Sequence, residues 1–407
     1  MQDIQQAFTP LQIGPLTLKN RFVKAATNEG MSPDGVPSRQ LVEFHAGIAA
    51  GGAALTTVAY CAVSADGCTL PNQICLNREA LPHLRVLTGA VHAEGGRVSA
   101  QITHGGCFTF TRQPGQGRPL SASGGFNKIG LMSGLFFKRE MSVSDMQRIA
   151  SDFAQGACLA REAGFDAVEI HMGHGYLLSQ FLSPLYNKRR DEFGGSLENR
   201  LRFPRQVLRA VLDAVGQDLA VICKFSITDG AKGGNRIEDG IAIAQALEAE
   251  GAHMLVLSAG LNAESITTMF GSSFPAENRA VITNPIMKFA MYLQQLAEKP
   301  VPFSELYLLA YSRQIRAAVK MPLAYLGGLT SASGVSTLIH EDFDAMALGR
   351  VLIHDPKWIG QLQTGDADRS GCTACNRCVT MMYSEGGTSC ILGNPRSAEL
   401  NRQPAAV

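Results

Sequence analysis

Eight short apolar segments alternate with stretches of helical periodicity along this chain. The apolar segments are mostly continuous runs, as in strands that are buried on both faces of a parallel sheet. They lie at 21–27, 54–63, 97–104, 165–173, 220–227, 253–260, 321–328 and 344–350. Eight βα units that close on themselves form an α/β fold, the (β/α)8 TIM barrel. An open doubly wound sheet is the rival fold, but no G-x-G-x-x-G turn follows the first strand.

Local signals mark the ends of several elements. Ser38 and Ser142 precede helical stretches and are suited to be N-caps. Residues 11–20 alternate around a Gly-Pro pair and predict an N-terminal β-hairpin that closes the bottom of the barrel. The segment 105–141 and the insertion 261–302 predict long loops, which in compact domains are usually functional. We expect these loops to set substrate choice.

Bulk properties narrow the class of protein. The chain has 407 residues, of which 45% are hydrophobic and 17% charged, so a large core is expected. We divide it into a barrel at 1–363 and a Cys-containing C-terminal extension at 364–407. The net charge is +1 without charged blocks, which indicates neither nucleic-acid nor membrane partners. No signal peptide or membrane span is recognisable, so we expect a cytoplasmic protein.

Three chemically active side chains follow the fourth predicted strand. His171, His174 and Tyr176 crowd two imidazoles and a phenol into the loop that leaves this strand. Such groups can hold an oxygen atom and deliver a proton. A lone histidine is more often structural, but three such groups at the carboxyl end of a barrel strand favour an active site.

Two polar side chains interrupt otherwise apolar strands. Gln101 lies late in the third strand and Lys224 within the fifth. A buried polar group is costly unless it is paired, and a large polar ring system would satisfy both side chains.

Glycines and a cation follow the last two strands. Gly327 and Gly328 end the seventh strand, while Gly349 and Arg350 end the eighth. Barrels commonly bind phosphate at this position through backbone N–H groups and helix N-termini. A tight turn with a surface arginine is the simpler interpretation, but the two features at successive strand ends favour a phosphate.

The segment HMGHGYLLSQFLSPLYNKRRDEFGGSLENR (171–200) closely resembles the most diagnostic stretch of the old yellow enzyme family of FMN-dependent oxidoreductases. The resemblance extends over almost all of 8–360, including AQITHGG and DAMALGRVLIHDP. It implies FMN at the barrel mouth, NAD(P)H as reductant and an electron-poor alkene as small-molecule substrate. The implied reaction is ping-pong reduction of the C=C bond of an α,β-unsaturated carbonyl compound.

The resemblance also implies roles for individual residues. His171 and His174 would hold the substrate carbonyl oxygen, and Tyr176 would supply the proton. Gln101 would bond the pyrimidine edge of the flavin, and Lys224 stands where the family more often has Arg. Thr27 would donate to a ring carbonyl, with Asn28 as the alternative. The residues implied to hold the cofactor are Ala25, Ala26, Thr27, Ala59, Gln101, Lys224, Gly327, Gly328, Gly349 and Arg350.

Four cysteines near the C-terminus form a separate motif. Cys372, Cys375, Cys378 and Cys390 have the spacing C-x2-C-x2-C-x11-C. This segment resembles the cluster-binding segment of the 2,4-dienoyl-CoA reductase and trimethylamine dehydrogenase branch, with one residue fewer between the second and third Cys. A [4Fe–4S] cluster, a zinc ion and a reduced thiol tail all remain open.

Several functions are compatible with these observations. An FMN-dependent ene-reductase is the leading hypothesis. The alternative keeps the flavin but makes the chain a dehydrogenase that passes electrons through a [4Fe–4S] cluster to a partner protein. A lyase with Lys224 as Schiff-base former and a non-catalytic binding barrel are further readings. The sequence leaves open a homo-oligomer.

Overall fold

The computed structural model describes residues 2–111, 117–275 and 300–392, with isolated positions between 285 and 293. Its centre is a ring of eight parallel strands that confirms the predicted TIM barrel. Each strand pairs with the next along the chain, and the last pairs with the first at Met346 and Phe22. The strands are β1 (Phe22–Lys24), β2 (Leu55–Ala62), β3 (Arg97–Thr103), β4 (Ala167–Met172), β5 (Ala220–Ser226), β6 (Met254–Ser258), β7 (Leu323–Tyr325) and β8 (Ala345–Leu348).

Helices surround this ring. The main ones are α1 (Arg39–Ala50), α2 (Leu81–Ala93), α3 (Val143–Glu162), α4 (Leu197–Val215), α5 (Ile237–Glu250), α6 (Leu309–Ala318), α7 (Ala332–His340) and α8 (Trp358–Thr364). Shorter helices lie at Leu177–Leu182, Ile266–Phe270, Arg350–His354 and Arg377–Met381, and 3-10 turns at Gln2–Phe8, Pro33–Gly35, Ala65–Gly67 and Ile129–Ser133. Over the part of the chain that the structure describes, no helix has the length and apolar character needed to cross a bilayer.

The predicted serine caps are present. Ser38 Oγ accepts from the N–H of Leu41 (3.2 Å), and Ser142 Oγ accepts from the N–H of Asp145 (3.2 Å). The Asp145 side chain in turn accepts from the N–H of Ser142, which completes a capping box. Each cap satisfies a backbone donor that the first helical turn leaves unpaired, and its loss typically costs about 1 kcal/mol.

The N-terminal hairpin closes the bottom of the barrel, as predicted. Its strands Leu11–Ile13 and Leu16–Leu18 pair antiparallel. Their inward side chains pack on residues at the amino ends of the barrel strands, among them Leu55 and Met254. Full burial of each such aliphatic side chain stabilises the fold by about 1.5–3 kcal/mol. The opposite end of the barrel is therefore the one that opens to ligands.

Two irregular regions differ from the prediction. The segment 105–141, predicted as a loop, contains a small sheet of Leu120–Ser121, Gly125–Phe126 and Phe137–Glu140. Strands of two to four residues that contain Gly and Ser carry little propensity signal. The helical periodicity of 303–319 predicts a helix over that whole stretch, but the helix begins only at Leu309. Leu306, with a φ of 56°, turns the preceding segment toward the barrel mouth.

Candidate active site

A cavity of about 590 Å³ opens at the carboxyl ends of the strands. Its floor includes Ala25 and Ala26 after β1, Lys224 in β5 and Ser258 in β6. Most of its wall is apolar or aromatic. Large pockets with an apolar wall and a few convergent polar groups are the usual form of cofactor sites. The cavity therefore lies where the barrel topology predicts an active site.

His171, His174 and Tyr176 come together on one wall of this cavity. The His171 ring lies 5.0 Å from the His174 ring and 4.7 Å from the Tyr176 ring, measured between centroids. His171 is held by β4, and the chain then turns back at His174 (φ 63°) and Gly175 (φ 85°). Glycine adopts such a positive φ without strain, and histidine does so less readily. This left-handed turn brings the side chains of His174 and Tyr176 back against the ring of His171.

His171 presents an unpaired donor. Its Nδ1 accepts from the N–H of Gly173 (3.2 Å), so the proton of the neutral ring is on Nε2. Nε2 is buried and has no hydrogen-bond partner among the described residues. Burial, followed by the nearby His174 and Lys224, lowers the pKa of His171 well below its ordinary value. A buried donor without a partner costs about 1–3 kcal/mol, so a bound acceptor would stabilise this site.

His174 is fixed from two sides. Its Nε2 is hydrogen bonded to Ser258 Oγ (2.7 Å), and its backbone N–H donates to Ser226 Oγ (3.1 Å). Burial lowers its pKa as well, and Lys224 adds to that shift. Both imidazoles are therefore neutral at physiological pH and face the same cavity.

Tyr176 is an almost fully buried phenol. Only 3% of the residue is exposed, and its ring packs against Tyr60 (5.2 Å) and Phe108 (5.3 Å). Burial is the main reason that the pKa of Tyr176 lies well above its ordinary value. The side chain of Asn262 opposes this pKa shift. Tyr176 is therefore protonated at neutral pH and can act as a proton donor.

Tyr60, rather than the predicted Ala59, lines the cavity from β2. Ala59 lies outside the cavity wall, and its N–H donates to Glu29 Oε2 (3.3 Å). The pairing of β2 with β3 skips one residue between Val58 and Cys61. This irregularity breaks the alternation of side chains that a strand-end prediction relies on.

Charged and amide side chains form a layer under the cavity. Lys24 makes a buried ion pair with Glu29, and Gln101 Nε2 donates to Glu169 Oε1 (2.6 Å). Lys224 Nζ, which lines the cavity, donates to the carbonyl of Ala26 (3.3 Å). Gln101 does not reach the cavity wall, but its Oε1 is buried and lacks a partner within the described part of the chain. The layer under the cavity thus contains one acceptor without a partner, Gln101 Oε1, and one cation that lines the cavity, Lys224.

Thr27 lines the cavity, but its hydroxyl is already engaged. It donates to Glu29 Oε1 (2.8 Å) and accepts from Lys24 Nζ (3.0 Å). A hydroxyl has a single proton, so Thr27 has none left for a ring carbonyl in this arrangement. Asn28, the alternative donor, also lines the cavity, and its Oδ1 accepts from the N–H of Gly30 (3.2 Å).

The predicted phosphate end lies on the same cavity. Gly328, Gly349 and Arg350 line it, whereas Gly327 faces Tyr325 and lies outside the wall. A side chain at Gly349 would meet only a Thr27 methyl at 3.7 Å, so the backbone there is open to approach. The Arg350 guanidinium lies over the Phe303 ring (5.6 Å between its central carbon and the centroid).

These residues fit a flavin mononucleotide. The fit rests on the largely apolar wall of the cavity and on the cation at Lys224. It rests equally on the open backbone at Gly349 beside Arg350. An isoalloxazine ring offers the matching donors, acceptors and apolar faces, and a 5′-phosphate suits glycine backbone with an arginine.

The C-terminal segment 366–392 forms part of the same site. Arg350 donates to the carbonyl of Ala374 (3.3 Å), and the N–H of Thr388 donates to the carbonyl of Glu29 (2.7 Å). Tyr383 and Met382 from this segment line the cavity. The sequence of this segment does not predict a part in the active site, because it lacks the periodicity that locates barrel elements.

The four C-terminal cysteines line one small cavity together with Arg350 and Asn376. Cys372 and Cys378 also line the large cavity, so the two sites share a wall. His354 Nδ1 lies 3.3 Å from Cys390 Sγ. Within the described ranges no three His, Cys, Asp or Glu side chains converge on a single metal ion.

Comparisons with known proteins agree with this site. The sequence model of the NADH:flavin oxidoreductase / NADH oxidase family matches residues 6–369. A 4,4'-dithiodibutanoate disulfide reductase of Rhodococcus erythropolis is 38% identical over 390 residues, covering 95% of this chain and 94% of the relative. An NADH oxidase of Thermoanaerobacter brockii is 30% identical over 92% of this chain, which spans 54% of that enzyme. The chain thus spans nearly all of one relative and about half of another.

Solved structures show the same barrel. Morphinone reductase in complex with tetrahydroNAD superposes with a TM-score of 0.68 at 25% identity, covering 89% of this chain and 92% of that one. A 2-naphthoyl-CoA reductase has a TM-score of 0.79 at 24% identity, covering 98% of this chain and 58% of its own, and is evidence for the fold alone. The family match supports an oxidoreductase and not the lyase or non-catalytic interpretation. The chain belongs to the NADH:flavin oxidoreductase / NADH oxidase family, the old yellow enzyme family, and is a flavin-dependent NAD(P)H oxidoreductase.

Proposed function

We propose that this enzyme reduces the C=C bond of α,β-unsaturated carbonyl compounds at the expense of NAD(P)H. The observation that carries the proposal is the partnerless Nε2–H of His171 beside His174 and Tyr176. Two neutral imidazoles next to a protonated phenol suit a substrate that has a carbonyl oxygen to hold and a carbon to protonate.

FMN would be the cofactor of this reaction, and the residues that would hold it are Ala25, Ala26, Asn28, Lys224, Gly328, Gly349 and Arg350. When bound, it would supply the hydride transfer from NAD(P)H to the substrate. Lys224 places a positive charge beside the ring, although burial lowers its pKa and Glu169 opposes that shift. We expect Gln101 to act from beneath, since it does not line the cavity.

His171 and His174 hold the carbonyl oxygen of the alkene. Donors fixed around an oxygen that gains charge in the transition state stabilise that transition state. His171 donates from Nε2, and Ser258 fixes the orientation of the His174 ring. Because burial keeps both rings neutral, each can hold only one ring proton, and neither adds a full charge to the site.

Tyr176 donates the proton to the α-carbon. Its high pKa makes it a weak acid in the resting site, but the proton is needed only as negative charge builds on the substrate. Phe108 and Tyr60 cover its ring and keep water away from the reacting carbon.

The proposal is tested by anaerobic stopped-flow. Enzyme that has been reduced with NADPH or NADH is mixed with cyclohexenone, a cinnamaldehyde-type enal, a nitroalkene or 4,4'-dithiodibutanoate. We expect rapid reoxidation of the flavin by the electron-poor alkenes. Reoxidation by the disulfide alone would contradict the proposal and would favour the activity for which the Rhodococcus relative is named.

A second candidate function is electron transfer to a partner protein through a [4Fe–4S] cluster. Four cysteines that line one small cavity offer the thiolate ligands that such a cluster needs. The shared wall at Cys372 and Cys378 would bring such a cluster close to the flavin. Four irons per chain in anaerobically purified protein, lost in Cys375→Ser but kept in Cys158→Ser, would support this candidate. Iron-free protein with full alkene turnover would exclude it.

A further inference from the structure

Three phenol side chains from distant parts of the sequence line the active-site cavity. Tyr60 comes from β2, Tyr176 from the loop after β4, and Tyr383 from the C-terminal segment. The Tyr60 and Tyr176 rings meet edge to face at 5.2 Å. Tyr383 interacts electrostatically with both. Tyr176 is therefore not an isolated acid.

The three phenols differ in how far they are covered. Tyr176 is 3% exposed and is covered by Phe108, whereas Tyr60 and Tyr383 keep more of their surface open to the cavity. Asn262 also affects the pKa of Tyr176, but an amide does not release its proton at neutral pH. A Tyr176 that has given up its proton is thus better connected to Tyr60 than to solvent.

The acidities of the two phenols favour transfer in one direction. Burial raises the pKa of both, and the interaction between the two side chains lowers the pKa of Tyr60 while it raises that of Tyr176. The pKa of Tyr60 reaches about 12. When Tyr60 and Tyr176 together hold a single phenol proton, that proton therefore resides on Tyr176.

We infer that Tyr60 is a positioning and proton-supplying residue that reloads Tyr176 after each turnover. This inference rests on the proposed alkene reduction. The Tyr176 O–H bond breaks as the C–H bond at the α-carbon forms. The Tyr60 O–H bond then breaks as the Tyr176 O–H bond forms again, and Tyr60 takes a proton from water at the side of Tyr383. The sum is one hydride from NAD(P)H and one proton from solvent for each alkene.

The test separates the first turnover from later ones. In Tyr60→Phe the resting enzyme still has a protonated Tyr176, so single-turnover alkene reduction by pre-reduced enzyme should stay within about twofold of the unsubstituted enzyme. Steady-state turnover with NADPH should fall about tenfold or more, since loss of a positioned proton donor usually costs at least that much. Added imidazole buffer should restore part of the rate, because a small acid can replace the missing phenol.

Tyr311→Phe is the matched control, because it removes a phenol hydroxyl from the exposed surface. It should change neither rate. FMN content is measured first for each variant, and Tyr383→Phe provides a second variant with an expected smaller loss of steady-state rate. An equal loss in single and multiple turnovers, or no loss in either, would overturn the role of Tyr60. Failure of the unsubstituted enzyme to reduce any alkene in one turnover would instead overturn the proposed function itself.

Discussion

The guanidinium of Arg350 donates a hydrogen bond of 2.5 Å to Oδ1 of Asn376, and so joins the helix after β8 to the C-terminal segment. Asn376 Nδ2 in turn donates to the carbonyl of Ser272 (3.1 Å), and Arg350 donates to the carbonyl of Phe270 (2.8 Å). Three segments far apart in sequence therefore meet at one arginine on the cavity wall. Any ligand held there is coupled to the packing of the C-terminal segment.

Asn376→Gly should lower the free energy of unfolding by about 2 kcal/mol, since it removes a buried hydrogen bond to a charged group. Glycine is the suitable replacement because Asn376 has a φ of 59°, which a β-carbon disfavours. Urea unfolding monitored by the single Trp measures the change. Arg313→Ala breaks an ion pair with Glu341 that is about half exposed, and serves as a control with an expected loss below about 1 kcal/mol. Equal losses in the two variants would contradict an anchoring role for Asn376.

Arg350→Ala should weaken FMN retention by at least about tenfold, because a charge-assisted contact to a phosphate contributes about 1.5–3 kcal/mol. Dialysis followed by measurement of the flavin that remains bound checks this. Asn376→Gly distinguishes a direct contact between Arg350 and the phosphate from an effect that Arg350 exerts through the C-terminal segment. Arg350→Ala losing no more flavin than Asn376→Gly would mean that Arg350 acts only through the C-terminal segment.

Tyr176→Phe should slow reoxidation of the reduced enzyme by an enone about 10²-fold or more, as is usual when a general acid is removed. Reduction of the flavin by NADPH requires no proton from Tyr176 and should change less than about threefold. Both half-reactions are measured by stopped-flow absorbance. A comparable loss in the two half-reactions would show that Tyr176 shapes the cavity rather than donating a proton.

The sequence predicted the barrel and most strand ends because apolar runs and their periodicity report burial directly. It assigned the cofactor contact to Ala59 rather than to Tyr60, because the irregular pairing after Val58 shifts the direction of the side chains that follow. It assigned Thr27 a free hydroxyl because nothing in the sequence distinguishes Glu29, a fully buried partner, from a surface carboxylate. Tyr383 was missed for a third reason, since only tertiary packing brings the aperiodic C-terminal segment onto the cavity.

His171 and His174 should form the phenol-binding pair of the oxidised enzyme. Replacing both by Ala should abolish the long-wavelength charge-transfer band that a bound phenolate gives with oxidised flavin, because the donors for its oxygen are lost. Titration with p-nitrophenol or p-hydroxybenzaldehyde measures the band. An undiminished band with unchanged affinity would remove the two histidines from the oxygen-binding role.

The same histidines should make the protein less stable in mild acid. Their pKa is lowered in the folded state, so below the unfolded pKa of 6.5 the unfolded chain binds protons that the folded chain does not. Stability is therefore fully present above pH 6.5 and is lost as the pH falls, with a slope of up to about 1.4 kcal/mol per pH unit for each ring. His171→Asn combined with His174→Asn should flatten this slope in urea unfolding between pH 7 and 5. An identical slope in the double variant would mean that other groups, such as the buried carboxylates, govern the acid response.

Lys224 should set the reduction potential of the bound flavin. It is the cation that lines the cavity floor, and a positive charge beside the ring stabilises the reduced, negatively charged form. Lys224→Met keeps most of the side-chain volume but removes the charge, and should lower the midpoint potential by about 30 mV or more, which for a two-electron couple is about 1.4 kcal/mol. Lys224→Arg retains the charge and should shift the potential less than Lys224→Met. Glu169 lies near Lys224 and favours its charged form. Glu169→Gln removes a negative charge and should therefore raise the midpoint potential, provided that Lys224 stays protonated. An unchanged potential in Lys224→Met would indicate that Lys224 is neutral in the flavin complex, and that its burial outweighs the attraction of Glu169.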